Sequence, residues 1–164
     1  MKTIILVRHA KSSWAEAGLS DFDRPLNERG KRDAPEMARR IAGRGLSVDF
    51  LVSSPAKRAR KTASIFAETL SIDPSRLQLV QELYLANERD FIRAIESIDD
   101  QYKTVIIFSH NPGITEFANS LTSVRVDDMP TCAAYALTSD SPSWKEFMKS
   151  EKSFLFFDYP KLVD

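Results

Sequence analysis

The sequence predicts an α/β fold of three layers, a mainly parallel sheet with helices on both faces and an antiparallel edge from its last strands. Three observations carry this reading. Ile4-Ile5-Leu6-Val7 and Val105-Ile106-Ile107-Phe108 are unbroken apolar, mostly β-branched runs, as expected of strands buried on both faces. Amphipathic stretches of helical spacing alternate with these and with shorter strand-like runs. Each of the two long runs also ends in a histidine motif, Arg8-His9-Ala10 in one case and Ser109-His110-Asn111-Pro112-Gly113 in the other. The chain has only 2 histidines, and both are expected at strand C-termini, where open parallel sheets present their chemistry.

The elements follow in order. After the first strand, Lys11 to Arg29 has no periodicity and reads as a long ordered loop, a usual place for functional residues. Asn27 is a plausible N-cap for a helix with Ala34, Met37, Ala38, Ile41 and Ala42 on its apolar face, closed by Gly43 and Gly45. Pro35 should kink that helix or split it. Val48 to Val52 is a second strand, broken by Ser53-Ser54-Pro55. Pro55 then opens a helix carrying Ala59, Ala63, Phe66, Ala67 and Leu70. Lys57, Arg58, Arg60 and Lys61 crowd its first turns, an unfavourable place for cations unless solvent or an anion offsets them.

Asp73-Pro74 ends that element. Leu77 to Val80 is a short strand, and Glu82-Leu83-Tyr84-Leu85-Ala86 leads into a helix bearing Phe91, Ile92, Ile95 and Ile98. Thr104 to Phe108 is the next strand, followed by a helix with Asn111 as N-cap, Pro112 first, and Ile114, Phe117, Ala118 and Leu121 inward. Cys132 to Leu137, a turn through Ser139-Asp140-Ser141-Pro142, a Trp144 to Met148 segment and Ser153 to Phe157 complete the chain.

Composition narrows the function classes. With 164 residues, 43% of them apolar, the chain is expected to form one domain over residues 1–164. Its 23 basic and 23 acidic residues cancel, so nothing global draws it to nucleic acid or an anionic membrane. A lone Cys132 excludes an internal disulfide framework and suits a reducing, cytoplasmic setting. One Cys and two His cannot build a typical structural zinc site without carboxylates, so neither metal nor cofactor is expected. The apolar N-terminal run is too short for a signal peptide or a membrane span.

Arg8, His9, Arg58, His110 and the backbone amides near Asn111 to Gly113 are all expected at strand C-termini or helix N-termini. Two guanidiniums and two imidazoles converging there describe a pocket for a dianionic tetrahedral ligand, a phosphoryl group. A neutral imidazole could also act as its nucleophile.

These residues resemble the histidine phosphatase superfamily, the phosphoglycerate mutase-like fold. The resemblance rests on Arg8-His9-Ala10, Ser54-Pro55-Ala56-Lys57-Arg58-Ala59 with Thr62-Ala63, and Ser109-His110-Asn111-Pro112. Asp21-Phe22-Asp23-Arg24-Pro25-Leu26-Asn27-Glu28-Arg29-Gly30 and the chain length resemble its SixA-type phosphohistidine phosphatase branch. The resemblance implies that His9 carries the phosphoryl group and that Arg8, Arg58 and His110 bind its oxygens, with Asn111 beside them and no metal. Glu82 holds the place of the proton donor used by members acting on esters, and it reads equally well as an exposed strand-end acid. The implied substrate is a phosphorylated protein or a small phosphorylated molecule; the rival readings are a phosphatase for small esters and a non-catalytic phosphate-binding module. Lys11 and Arg24 read as solvated loop residues, and Trp14 and Tyr84 as core.

Overall fold

The structure, a computed structural model, describes residues 1–161. Six strands form one sheet in the order β3-β2-β4-β1-β5-β6. They span Lys2–Arg8 (β1), Phe50–Ser53 (β2), Leu77–Leu79 (β3), Thr104–Ser109 (β4), Ala134–Ser139 (β5) and Ser153–Asp158 (β6). The first four run parallel, whereas β5 pairs antiparallel with both β1 and β6. The predicted mainly parallel sheet with an antiparallel edge is therefore the fold observed.

Four helices cover the sheet: α1 (Glu28–Gly43), α2 (Lys57–Thr69), α3 (Glu88–Glu96) and α4 (Gly113–Leu121). Strand β1 explains the two-sided burial. Ile4 and Leu6 pack into the core under α3 and α4, while Ile5 and Val7 pack into the core under α1 and α2, and all four are fully buried. Each such side chain contributes about 1.5–3 kcal/mol relative to exposure. Alternation in β4 is the same, with Val105 and Ile107 on one face and Ile106 and Phe108 on the other.

Several boundaries differ from the sequence reading. Helix α1 is capped by Asn27, whose side chain accepts the Gly30 N–H, but Pro35 does not split it. Its apolar stripe of Ala34, Met37, Ala38 and Ile41 is held from both sides by α2 and the sheet, which offsets the one N–H bond that proline removes. Helix α2 starts at Lys57 rather than at Pro55, and α4 starts at Gly113, with Pro112 in the cap position that Asn111 was expected to fill. Of the Trp144 to Met148 segment only a 3-10 turn at Phe147–Lys149 is regular; Trp144 itself is buried and donates its indole N–H to the Tyr102 carbonyl.

The loop after β1 is ordered by folding back on itself. Ser12 bridges to Leu26, the Ser13 N–H reaches the Pro25 carbonyl, and Asn27 N–H bonds the Lys11 carbonyl. Gly30 makes this possible, because a Cβ there would run into the Lys11 carbonyl oxygen. Asp21–Asp23 forms one 3-10 turn at the tip. Among the described residues no helix is long and apolar enough to cross a membrane.

Candidate active site

Register places the two histidines side by side. Arg8 of β1 lies opposite Ser109 of β4, so both chains leave the sheet at the same level, and the His9 N–H bonds the Ser109 carbonyl. The imidazole rings then stand 5.1 Å apart, centre to centre. Because β5 runs antiparallel and begins where β1 ends, it delivers the Asp128–Thr131 segment to the same edge, and Arg8 Nη1 donates to the Met129 carbonyl at 2.9 Å. The resulting cavity, of about 550 Å³, is lined by Arg8, His9, Arg58 and His110 together with loop residues on every side.

His9 is held as one tautomer. It is 5% exposed. Nδ1 lies 2.8 Å from the Ala10 carbonyl and must carry the proton, while Nε2 accepts from Arg58 Nε at 3.3 Å and must carry the lone pair. The Ala10 peptide is itself fixed: its N–H donates to Thr62 Oγ1, and that hydroxyl donates to the Arg58 carbonyl one helical turn earlier. Burial pushes the His9 pKa down to about 3, opposed by the Ala10 bond and helped by the neighbouring His110 ring and by the Arg58 and Arg8 cations. The imidazole is therefore neutral throughout the physiological range, with its Nε2 electron pair directed at Arg58.

His110 is tuned the same way, to about 3, by burial first and then by Arg58. Its Nε2 lies 2.7 Å from Ser54 Oγ. Ser54 Oγ also accepts the Ala56 N–H, and donation of its own hydrogen to His110 Nε2 would put the ring proton on Nδ1. That Nδ1 and the Nε of Arg8 are buried with no hydrogen-bond partner among the described residues. A guanidinium N–H and a ring nitrogen left without partners beside a neutral imidazole fit a ligand with several oxygens.

Arg58 is oriented by a carboxylate that the sequence reading did not single out. Asp21 accepts from Arg58 Nη2 at 2.9 Å, its backbone carbonyl accepts from Nη1, and its Oδ2 also takes the Tyr84 hydroxyl at 2.6 Å. Arg24 closes the group, with Nη2 3.2 Å from Asp21 Oδ1 and Nη1 2.6 Å from Ser12 Oγ. Burial alone would raise the Asp21 pKa, but hydrogen bonds from Tyr84, Arg58 and Arg24 outweigh it and hold the carboxyl at about 2. Asp21 is thus an anion that positions two arginines.

Four expectations change. Arg24 is buried, not solvated, because Asp21 and Ser12 satisfy its guanidinium. Trp14 is 78% exposed at the cavity mouth, its ring centre 3.5 Å from the Arg24 guanidinium carbon, and is not core. Tyr84 is partly buried and lines the cavity. Glu82 is not brought to the cavity: it lies exposed in the 3-10 turn Gln81–Leu83, beside a different groove with Gln78 and Arg93. The carboxylate that does stand at the mouth, besides Asp21, is Glu116 of α4. Asn111 lines the cavity, but its side chain is engaged: Nδ2 donates to Asp128 and Met129, and Oδ1 accepts from Thr115.

Thr62 and Ser54 had a sequence signal in the motifs that contain them. Asp21 also opens one of the quoted motifs, but its contact with Arg58, 37 residues away, has no signal there. Among the described residues no three His, Cys, Asp or Glu side chains gather to hold a metal ion.

Comparison with known proteins agrees with this geometry. A chloroplastic protein of Arabidopsis thaliana, itself uncharacterized, is 30% identical over 153 residues, covering 88% of this chain and 70% of that one. A 2,3-bisphosphoglycerate-dependent phosphoglycerate mutase of Bartonella bacilliformis is 35% identical over 92 residues, 55% of this chain and 43% of the mutase. Among solved structures, the putative phosphohistidine phosphatase SixA from Agrobacterium tumefaciens matches with a TM-score of 0.80 at 26% identity, covering 97% of this chain and 98% of that one. The protein histidine phosphatase SixA complexed with tungstate shares the fold, at a TM-score of 0.79 and 21% identity over 96% of this chain and 97% of that one. The model of the histidine phosphatase superfamily (branch 1) matches residues 4–88, and the chain belongs to that superfamily.

Proposed function

We propose that the chain is a phosphohistidine phosphatase that carries the phosphoryl group on His9 Nε2 and acts on phosphohistidine in proteins, in a cytoplasmic setting and without a metal. The observation that carries the reading is the fixed tautomer of a buried, neutral His9 whose lone pair faces Arg58. In the first step the Nε2 electron pair forms a bond to phosphorus while the bond from phosphorus to the leaving nitrogen breaks. The departing imidazole keeps that electron pair and takes a proton from water. The phosphorylated ring is positive, and the Ala10 carbonyl at Nδ1–H is placed to hold that charge. In the second step a water oxygen attacks phosphorus, the water proton passes to solvent, and the electron pair returns to Nε2 as phosphate leaves. Arg8, Arg58 and the Nδ1–H of His110 bind the equatorial oxygens, where charge accumulates.

Leaving-group chemistry favours phosphohistidine over an ester. An alkoxide needs an acid, whereas imidazole leaves readily. Asp21 is held ionised, and Glu82 is elsewhere. A protein substrate is supported by the mouth, where Trp14 and Leu85, 78% and 83% exposed, flank the cavity as two large apolar surfaces. The likeness to SixA points the same way. The runner-up, hydrolysis of small phosphate esters, rests on Glu116 at the rim as a proton source. Glu116→Gln should then cut ester hydrolysis about tenfold or more and spare phosphohistidine hydrolysis; a protein that turns over esters far better than phosphohistidine, and loses that activity in this variant, would reverse the ranking.

The test is mixing with radiolabelled phosphohistidine protein, quenched in alkali because the nitrogen–phosphorus bond survives base. Label should appear transiently on the wild-type chain and be absent in His9→Ala, with turnover lost. Undiminished turnover in His9→Ala removes His9 from the reaction.

A further inference from the structure

The four cations of the α1–α2 shoulder are unexplained by the phosphoryl pocket. Arg58 points inward to His9 and Asp21, but Lys57, Arg60 and Lys61, all exposed, point the other way. With Lys31 of α1 and Ser64 they line a separate groove of about 450 Å³ whose remaining walls are Pro25 and Leu26. Among the described residues Lys57, Arg60 and Lys61 have no ion pair or side-chain hydrogen bond, and Lys31 has only an exposed contact with Glu28 at 3.6 Å. Like charges gathered at the start of a helix repel one another and the helix dipole, and α2 has no acidic residue in its first turn to offset them. In a chain whose total charge is zero, this is a local concentration maintained against its own electrostatics.

Its position supplies a reason. The groove and the catalytic cavity are lined by consecutive residues at two places: Arg24 lines the cavity and Pro25 the groove, and Arg58 lines the cavity while Lys57 lines the groove. An extended polypeptide advances about 3.3–3.6 Å per residue, so residues flanking a side chain presented to His9 can pass from the cavity to the neighbouring groove. Pro25 and Leu26 give that segment an apolar floor, and the four cations give it a charge preference.

We infer that the groove lined by Lys31, Lys57, Arg60 and Lys61 is a docking site for an acidic segment flanking the phosphohistidine of the protein substrate. This rests on the phosphohistidine reading above and names which proteins that site selects. Electrostatic complementarity of this kind acts mainly on encounter and on choice among partners, so it should appear in kcat/KM for the macromolecule and vanish for a small substrate.

The experiment compares two synthetic phosphohistidine peptides, one flanked by glutamates and the other by glutamines, with free phosphohistidine as a third substrate. Wild-type protein should prefer the glutamate peptide by roughly tenfold in kcat/KM at low ionic strength, and the preference should shrink at about 0.5 M salt. In the triple variant Lys57→Gln, Arg60→Gln, Lys61→Gln the preference should disappear, while turnover of free phosphohistidine stays unchanged. Removing cations from a helix N-terminus should not lower the melting temperature, so misfolding will not mimic the result. Equal rates on both peptides, or a preference that survives the triple variant, overturns the docking site and leaves the phosphatase reading standing. Binding of RNA or anionic vesicles at the groove with no glutamate preference also overturns it. Failure to turn over free phosphohistidine and both peptides defeats the underlying function, and the docking site with it.

Discussion

Lowering the pH from 7 to 5 should destabilise the folded chain by about 4 kcal/mol, and the active-site histidines should be the cause. Both fall to about 3 in the folded protein from an ordinary value of 6.5. Below pH 6.5 the unfolded chain therefore takes up protons that the folded chain refuses. Stability from these groups is complete above that pH and is lost progressively as pH falls toward 3. Over the interval from 7 to 5 each histidine contributes about 2 kcal/mol of that loss. Both are less than a tenth exposed, so solvent screening removes little of it. No other side-chain type ordinarily titrates within this window, and Asp21, held at about 2, is silent in it.

The assay is urea unfolding at pH 7, 6 and 5. With a slope of about 2 kcal/mol per molar urea, the midpoint should fall by about 2 M between the end points. His110→Gln removes one titrating group and should halve the dependence. Saturating inorganic phosphate should flatten it as well, because an anion against Arg8, Arg58 and His110 makes the protonated imidazole tolerable in the folded state. A change below about 1 kcal/mol in the unliganded wild type would mean that the folded imidazoles accept protons freely, and the argument for a neutral, buried nucleophile would fail.

Two further outcomes follow from the same geometry. Asp21→Ala releases Arg58 and Arg24; charge-assisted bonds of this kind are worth about 1.5–3 kcal/mol when buried, and the half-exposed Asp21 side chain lowers that to about 1–1.5, so kcat/KM should fall roughly tenfold, with partial recovery in Asp21→Asn. Undiminished kcat/KM in Asp21→Ala would show that Arg58 holds its place unaided. Glu82→Gln should change hydrolysis of both esters and phosphohistidine by less than about twofold, and a tenfold loss on either would return Glu82 to the reaction.

Much of this was legible in the chain because buried strands write an unambiguous pattern. Two unbroken apolar runs ending in Arg8-His9 and Ser109-His110 fix which elements neighbour in the sheet centre, and parallel register then brings the histidines together. Residues placed by side-chain partnership carry no such pattern. Arg24 and Trp14 exchange their expected positions: a cation is buried because two polar groups of the loop satisfy it, and an aromatic ring is exposed because its face rests on that cation. Glu82 shows a different failure. Neighbours in a 3-10 turn are rotated by about 120°. Leu83 is fully buried, with its carbonyl taken by Ser109 Oγ, and Tyr84 reaches Asp21, so Glu82 is turned outward. Only the geometry of the turn separates the three.

The electrostatic arrangement around His9 also explains why a carboxylate sits in a pocket suited to a dianion. Arg8, Arg24 and Arg58 repel one another and would not converge without an anion among them. Asp21 supplies it from the Arg24 and Arg58 side, on guanidinium edges away from the Nε that meets His9, while Arg8 is held by the Met129 carbonyl instead. The two arginines that Asp21 gathers are therefore preorganised before a phosphoryl group arrives, and their reorganisation does not have to accompany the reaction. His9 is kept neutral chiefly by burial, and the guanidiniums of Arg58 and Arg8 add to this by disfavouring a proton on the ring. In the proposed reaction the cations that bind the anion therefore also reinforce the neutrality that burial imposes on the nucleophile.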